Sequence, residues 1–327
     1  MRKTGQEKKG KSKMWIWIYI GAFLVSFIGS AILKVTWQPA WSKEFKTDWN
    51  DSVGTLHSDY SYGEGKEETY DLYLPADHDQ KAYGLVVYLH AGGFTAGDKT
   101  DDKQTLEWLC SKGYVAAGIN YTLRTEENPQ SSVYSQSEEI KKAIPEVIKK
   151  AAELGYPIDA MAIGGGSAGG ALALIYAYRD ADTSPVPVKL VFEGVGPAGF
   201  NREDWGIYGL DKSAKAASDL FSVMSGQLIT EKEIEDGSYL QKVKPISAVD
   251  WVNKNTVPSV LIYAAHDKVE PYKASLRLKE ALEKNGVDFK YFDAEHSGHG
   301  LQNDNKVYKE YMETVEEYLN KYLPVHQ

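Results

Sequence analysis

The feature that most constrains the fold of this chain is a glycine-rich turn, MAIGGGSAGG. Within it, Gly165, Ser167 and Gly169 form a G-x-S-x-G pentapeptide between an apolar strand pattern at 160–163 and a small-residue helix pattern at 168–178. This setting holds a serine on a strained turn above a sheet, where bulky side chains in place of the glycines would collide with the neighbouring elements. The pattern therefore predicts Ser167 as a nucleophile, at a helix N-terminus that favours developing negative charge.

Several other kinds of site are excluded or disfavoured. The alternative interpretation of the turn is a phosphate-binding loop, but no G-K-[ST] follows it and no ribose-binding acid is evident. Cys110 is the only cysteine and the histidines lack metal-site spacing, so we expect no intrachain disulfide and no metal site. The net charge is −9 although the N-terminus is basic, so the rest of the chain is acidic and offers no surface for nucleic acid.

Alternating strand and helix patterns occupy most of the chain after residue 65. Strands are predicted at 69–74, 84–90, 114–119, 160–163, 188–195, 257–264 and 287–292, and helices at 137–154, 168–178, 274–284 and 306–323. Pro145 is expected to kink or interrupt the first of these helices. The alternation predicts an α/β fold, with a mainly parallel central sheet that carries helices on both faces.

Residues 196–249 break this alternation. The segment is long, polar and partly helical, and it lies between two predicted core strands. We predict a cap-like insertion that forms a lid or one wall of a substrate pocket. A surface excursion without a role in substrate choice is the alternative.

The N-terminal residues predict a membrane anchor. Residues 1–13 are basic, and residues 14–33 are 20 consecutive uncharged positions, which at about 1.5 Å per residue match a bilayer core of roughly 30 Å. The basic flank places the N-terminus in the cytoplasm, so a single-pass membrane protein with its domain outside the cytoplasm is expected. The alternative is secretion after signal cleavage at the small residues 29–31. Residues 34–64 are interpreted as a stalk leading into a domain at 65–327.

Six segments together resemble the α/β-hydrolase superfamily. They are LHAGGF, NYTL, GGGSAGG, KPIS, HDKVEPY and HSGHGL, and they fall between about residues 65 and 323. The resemblance is greatest to serine carboxylesterases that include acetyl esterases, feruloyl-type esterases and hormone-sensitive-lipase relatives. It implies the α/β-hydrolase fold, hydrolysis of short-chain esters or acetylated carbohydrates, and no metal or organic cofactor.

The resemblance also implies an oxyanion hole. The LHAGG segment is similar to the family's H-G-G-G loop and departs from it at Ala91. Gly92 and Gly93, with the N–H of Ala168, are expected to hold the oxyanion. His90 is expected to support the loop through hydrogen bonds and not to act as a base.

The remaining partners of the serine follow in the chain order Ser, acid, His. Asp267 comes directly after the strand at 257–264, in a turn similar to the family's G-x-x-D-x-x-V-P with the Val-Pro end altered. Glu270 is the alternative acid, and Asp293 and Glu295 are disfavoured because they lie too near the histidine loop.

His299 matches the family's G-H-G-[FL] turn and is the expected base. His296, the alternative base, is expected to be a packing or pocket residue.

The expected function is hydrolysis of small-molecule carboxylic esters through an acyl-serine intermediate. A serine peptidase or lipase on the same fold is the first alternative. A non-catalytic binding module is the second, although such proteins usually lack a member of the triad. The natural substrate and the oligomeric state cannot be derived from the sequence.

Overall fold

The computed structural model describes residues 40–77 and 80–325. Within them, eight strands form one sheet. In chain order they are β1 (Gly54–Ser61), β2 (Thr69–Pro75), β3 (Tyr83–Leu89), β4 (Val115–Ile119), β5 (Ile158–Gly166), β6 (Val188–Gly194), β7 (Ser259–Ala264) and β8 (Phe289–Ala294). Their spatial order is β1-β2-β4-β3-β5-β6-β7-β8. The pairs β1–β2 and β2–β4 are antiparallel and the others are parallel, which confirms the predicted mainly parallel sheet.

The same residues contain eight α-helices. They are α1 (Lys103–Ser111), α2 (Val133–Glu153), α3 (Ala168–Ile175), α4 (Ala214–Ser225), α5 (Glu231–Asp236), α6 (Leu240–Val243), α7 (Tyr272–Asn285) and α8 (Asn305–Tyr322). Side chains of α1 and α8 belong to one buried apolar cluster, and those of α2, α3, α4 and α7 belong to another.

These two clusters lie on opposite faces of the sheet. Successive side chains of a strand point to opposite faces. In β5, Met161 and Ile163 accordingly join one cluster, whereas Ala162 between them joins the other. Both faces of this central strand are therefore buried, and its apolar run is the sequence signal that a parallel strand under two helical layers requires.

Of the kink or interruption predicted at Pro145, the interruption is wrong. Helix α2 continues through this residue, which lies on its exposed side. A proline inside a helix removes one backbone N–H donor and crowds the carbonyl four residues earlier, at a cost of about 3 kcal/mol, which the buried apolar face of α2 offsets. The helix also begins earlier than predicted, because Ser132 and Ser135 form a capping box at its N-terminus.

The last part of the segment predicted as a stalk, 34–64, belongs to the sheet. Strand β1 lies inside this range and pairs with β2 as the outer strand of the sheet. Most of its residues are exposed or half-buried, so it lacks the alternating apolar pattern by which strands are recognised. The predicted tail at 1–13 and membrane segment at 14–33 lie outside the described residues. Among those that are described, no helix is both long enough and apolar enough to cross a membrane.

The segment 196–249 supplies α4 to α6 and a 3-10 helix at Arg202–Tyr208. Inside it, Phe200 stacks on Trp205, and Phe221 meets both of these rings edge-on. Two polar contacts join it to the region after β7: Arg277 Nε donates to Asp204 Oδ2 at 2.5 Å, and Tyr208 Oη donates to the Val269 carbonyl at 2.8 Å. The segment is thus packed by its own aromatic core and attached beside the loop that carries Asp267.

Candidate active site

Ser167 occupies the turn between β5 and α3 in a strained conformation. Its φ of 53° and ψ of −120° are unusual for a residue with a side chain. Its N–H donates to the Gly194 carbonyl at 2.8 Å, which ties the turn to β6. A β-carbon on Gly165 would lie 2.5 Å from the backbone of Gly169, so the turn excludes side chains as the pentapeptide predicts.

The structure brings Ser167, His299 and Asp267 together. His299 Nε2 is 2.9 Å from Ser167 Oγ, and His299 Nδ1 is 2.7 Å from Asp267 Oδ2. A neutral imidazole that donates from Nδ1 to the carboxylate presents the Nε2 lone pair to the hydroxyl proton. The arrangement can therefore accept a proton from Ser167 and stabilise the resulting imidazolium.

The loop after β7 holds Asp267 in place through its backbone. The N–H groups of Val269 and Glu270 donate to Asp267 Oδ1 at 2.7 and 2.9 Å, which leaves Oδ2 for the imidazole. The alternative acids are placed otherwise. Glu270 is buried and makes no hydrogen bond with the His299 ring among the described residues, while Asp293 and Glu295 are exposed. Asp293 instead accepts a hydrogen bond from Tyr272.

Asp304 organises the histidine loop, and sequence reasoning missed it. Its Oδ2 accepts hydrogen bonds from Ser297 Oγ and from the His296 N–H, at 2.6 and 2.9 Å. The His296 ring pairs with Oδ1 of the same carboxylate and is 76% exposed. His296 therefore lies on the surface, whereas His299, three residues later, faces Ser167.

Of the two glycines predicted for the oxyanion hole in the loop after β3, Gly93 lines the cavity at the site. Gly93 and Ala168 line the same cavity as Ser167. Gly92 has a φ of 126° and its carbonyl accepts hydrogen bonds from Thr95 and Ala96. A β-carbon at Gly92 would lie 1.9 Å from the Ala96 carbonyl oxygen, so this residue shapes the turn that presents Gly93.

His90 is buried under this loop. Its Nδ1 donates to the Ala91 carbonyl at 2.7 Å, and its ring stacks on Tyr121 with centroids 4.3 Å apart. Burial lowers the pKa of this imidazole, which favours the neutral form. Ala91 itself is exposed.

Two further residues that hold the loop were not recognised as supports in the sequence. Tyr121 Oη donates to the His90 carbonyl at 2.8 Å, and Gln136 Nε2 donates to the Phe94 carbonyl at 2.9 Å. Tyr121 lies in the NYTL segment, so the family resemblance contained a signal for it. Gln136 lies on α2, where nothing in the local pattern distinguishes it from a packing residue.

A small cavity of about 200 Å³ opens beside Ser167. The segment 196–249 contributes Pro197, Trp205, Tyr208, Leu220 and Met224 to its wall, and the remaining lining residues are Gly93, Phe94, Ser167, Ala168, Val269, Glu270 and His299. The wall is therefore mostly apolar, and much of it comes from the segment that interrupts the alternating pattern.

Burial favours the neutral form of two carboxyl groups, those of Glu270 and Glu193. Burial, followed by the charge of Asp267, raises the pKa of Glu270 well above its usual range. Burial raises the pKa of Glu193 to about 8, against the hydrogen bond that its Oε2 accepts from the Gly196 N–H. Within residues 40–77 and 80–325, no group of three or more His, Cys, Asp or Glu residues is arranged to hold a metal ion.

Solved structures share this fold at low sequence identity. Esterase B from Lactobacillus rhamnosis is 18% identical, with a TM-score of 0.62 over 91% of this chain and 95% of that one. A truncated carbohydrate esterase from gut microbiota is 19% identical, with a TM-score of 0.65 over 83% and 98%. Esterase 2 from Thermogutta terrifontis is 21% identical, with a TM-score of 0.63 over 84% and 95%, and it was also solved with propionate bound and phosphorylated by paraoxon.

A curated protein and a family model also match this chain. The non-reducing polyketide synthase stbA of Stachybotrys bisbyi is 20% identical in an alignment 282 positions long that covers 70% of this chain. The chain spans only 13% of the length of that protein. The model of the BD-FAE family matches residues 70–282, more than half of the chain. The chain therefore belongs to the BD-FAE family.

Proposed function

We propose that the protein is a serine carboxylic-ester hydrolase that acts through an acyl-serine intermediate. The observation that carries this proposal is the continuous hydrogen-bonded path from Ser167 Oγ through the His299 ring to Asp267, with heavy-atom distances of 2.9 and 2.7 Å. Both distances lie within the range in which a general base can take a proton.

The proposed reaction has two halves. Ser167 Oγ attacks the ester carbonyl carbon while His299 Nε2 takes the hydroxyl proton, and the imidazolium is stabilised by Asp267. The tetrahedral intermediate collapses as the alkoxide leaves with that proton, which gives the free alcohol and the acyl-serine. Water then attacks the acyl carbon and gives its proton to His299, and Ser167 Oγ recovers that proton as the carboxylic acid departs.

The oxyanion of both tetrahedral intermediates needs hydrogen-bond donors. The N–H of Ala168 is one candidate, because it follows the nucleophile directly at the N-terminus of α3. The N–H of Gly93 is the second, because this residue lines the cavity wall with Ala168. Gly92 acts in this scheme by shaping the loop. Removal of one such donor typically costs about 2.7–4 kcal/mol of transition-state stabilisation.

Short acyl esters are the proposed substrates, with acetyl esters of carbohydrates as one natural form. The cavity volume of about 200 Å³ is small and its wall is largely apolar, which suits an acetyl to butyryl group better than a long chain. The propionate that occupies esterase 2 of Thermogutta terrifontis and the carbohydrate esterase among the structural neighbours support the same class.

We also propose that residues 14–33 anchor the protein in the cell membrane, with the catalytic domain outside the cytoplasm. The support is the uncharged run of 20 residues and the basic residues that precede it. Full-length protein is expected in the membrane fraction and accessible to protease added to intact cells. Recovery in the cytosolic fraction would contradict the anchor, and release into the medium would favour signal cleavage.

Hydrolysis of p-nitrophenyl acetate, butyrate and octanoate by the full chain tests the proposed activity, with Ser167→Ala as the matched control. We expect turnover of the two short esters that disappears in the variant. Dominant octanoate hydrolysis would favour a lipase instead. No turnover above the variant by folded protein would contradict the esterase proposal and favour a peptidase or a binding module.

A further inference from the structure

Glu270 is one of the residues that line the cavity beside Ser167 and His299. The residue is only 3% exposed. Its backbone N–H donates to Asp267 Oδ1, and this hydrogen bond does not involve its side chain.

Oε1 of the Glu270 side chain is buried and finds no hydrogen-bond partner among the described residues. Leaving a buried polar group unsatisfied is costly, and such groups in folded proteins usually have a functional or structural explanation. The other cavity walls offer mainly apolar carbon, from residues such as Phe94, Leu220 and Met224.

The tendency of this carboxyl group to stay protonated limits which ligands it can bind. Burial and the neighbouring Asp267 raise the pKa of Glu270, which favours the neutral acid, a group that can donate one hydrogen bond and accept others. A neutral acid does not attract an ammonium group strongly. Among the described residues that line the cavity, no second carboxylate is present to help bind one.

We propose that Glu270 is a specificity-determining residue that hydrogen-bonds a hydroxyl group carried by the substrate next to its scissile ester. This inference rests on the proposed esterase function. The hydroxyl can come from the alcohol part, as in a monoacylated diol or sugar, or from the acyl part, as in a hydroxy acid. Both sources present the same group to the same carboxyl.

Two matched substrate pairs separate these sources. The alcohol pair is trans-2-hydroxycyclohexyl acetate and cyclohexyl acetate, and the acyl pair is ethyl glycolate and ethyl acetate. For each pair, the ratio of kcat/KM with the hydroxyl to kcat/KM without it is measured for the full-length wild type, Glu270→Gln and Glu270→Met. Gln keeps the shape and the hydrogen bonding, whereas Met keeps the approximate volume and removes the hydrogen bonding. A general loss of activity cancels in the ratio.

We expect the ratio for at least one pair to fall about tenfold in Glu270→Met, mainly through KM of the hydroxyl-bearing ester, and to remain within about threefold of the wild type in Glu270→Gln. The pair that responds identifies the source of the hydroxyl. Ratios that are unchanged in Glu270→Met, with both members of each pair affected equally, overturn the inference and leave Glu270 a structural residue. Preference of the wild type for an amino-substituted ester over its hydroxyl analogue also overturns it. Failure of the wild type to hydrolyse any of the four esters contradicts the esterase proposal itself, and the inference with it.

Discussion

The backbone of Gly169 approaches the Leu89 carbonyl so closely that a β-carbon on residue 169 would lie 1.9 Å from that oxygen. Helix α3 and the end of β3 meet at this contact, directly behind the nucleophile. Gly169→Ala is therefore expected to lower the free energy of unfolding by about 3 kcal/mol, at the upper end of typical overpacking effects, and to lower activity by displacing Ser167. Urea unfolding and p-nitrophenyl acetate hydrolysis measure the two effects.

Gly206→Ala is the matched control, because a β-carbon there would be 3.5 Å from its nearest neighbour, an ordinary contact. Its stability is expected to stay within about 0.5 kcal/mol of the wild type. Equal stability of the two variants would show that the contact behind the nucleophile is not as tight as described.

Because Ser167 has a strained conformation, the residue that activity requires at this position is not the one that gives the greatest stability. A residue with a side chain at φ of 53° stores about 1–3 kcal/mol of strain, which glycine would relieve. The additional chain entropy of glycine offsets about 0.4–1 kcal/mol of this gain. Ser167→Gly is thus expected to be about 1 kcal/mol more stable than Ser167→Ala by chemical denaturation, and neither variant should hydrolyse esters. Lower stability of the glycine variant would contradict the strain.

Much of the fold and of the triad could be predicted from the sequence because the patterns that indicate them are local. The glycines around Ser167 are required by a turn of a few residues, and buried parallel strands such as β5 are short apolar runs whichever helices cover them. Asp267 and His299 could be placed because each directly follows such a strand, at the same edge of the sheet.

The parts that the sequence did not reveal depend on contacts between distant segments. Strand β1 is mostly exposed, so its membership of the sheet is visible only in its pairing with β2. Gln136 reaches the Phe94 carbonyl across 42 positions of the chain. Glu270 lines a cavity whose wall also contains residues of the distant segment 196–249, so a pattern within the acid turn could not indicate this position.

The two histidines of the loop after β8 are expected to differ sharply in function. His299 contacts both Ser167 and Asp267, whereas the exposed His296 pairs with Asp304. His299→Gln is expected to lower kcat on p-nitrophenyl acetate by a factor on the order of 10⁵, as removal of the base in a serine hydrolase does. His296→Gln should stay within about threefold of the wild type. Comparable losses in both variants would mean that the loop adopts another arrangement during catalysis.

Asp267 and Asp293 provide a second matched pair. Asp267→Asn keeps an oxygen for the Val269 and Glu270 N–H groups but no longer accepts from His299 Nδ1 as a carboxylate, so the imidazole loses its tautomeric control. A loss in kcat of about 10⁴-fold is expected. Asp293 is exposed and bonds only to Tyr272 among the contacts described, so Asp293→Asn should retain nearly full kcat. Activity that depends on Asp293 instead would reassign the acid.

The raised pKa of Glu193 predicts that the stability of the fold depends on pH, independently of catalysis. Burial raises its pKa from 4.5 to about 8, so between these values the folded protein holds a proton that the unfolded chain has released. Stability must then decrease as the pH rises through this window, by at most about 1.4 kcal/mol per pH unit, and level off above pH 8. Asp102, whose pKa burial raises to about 7, adds to the same trend.

The Glu193→Gln variant isolates this contribution, since the amide has no proton to release. We expect it to gain stability relative to the wild type as the pH is raised from 5 to 8, measured by urea unfolding at each pH. Glu283→Gln, an exposed substitution that also removes one acidic group, should show no comparable gain. A difference between Glu193→Gln and the wild type that stays constant across the range would mean that Glu193 has the same protonation in the folded and unfolded states. The buried carboxyl behind the nucleophile would then be ionised at neutral pH.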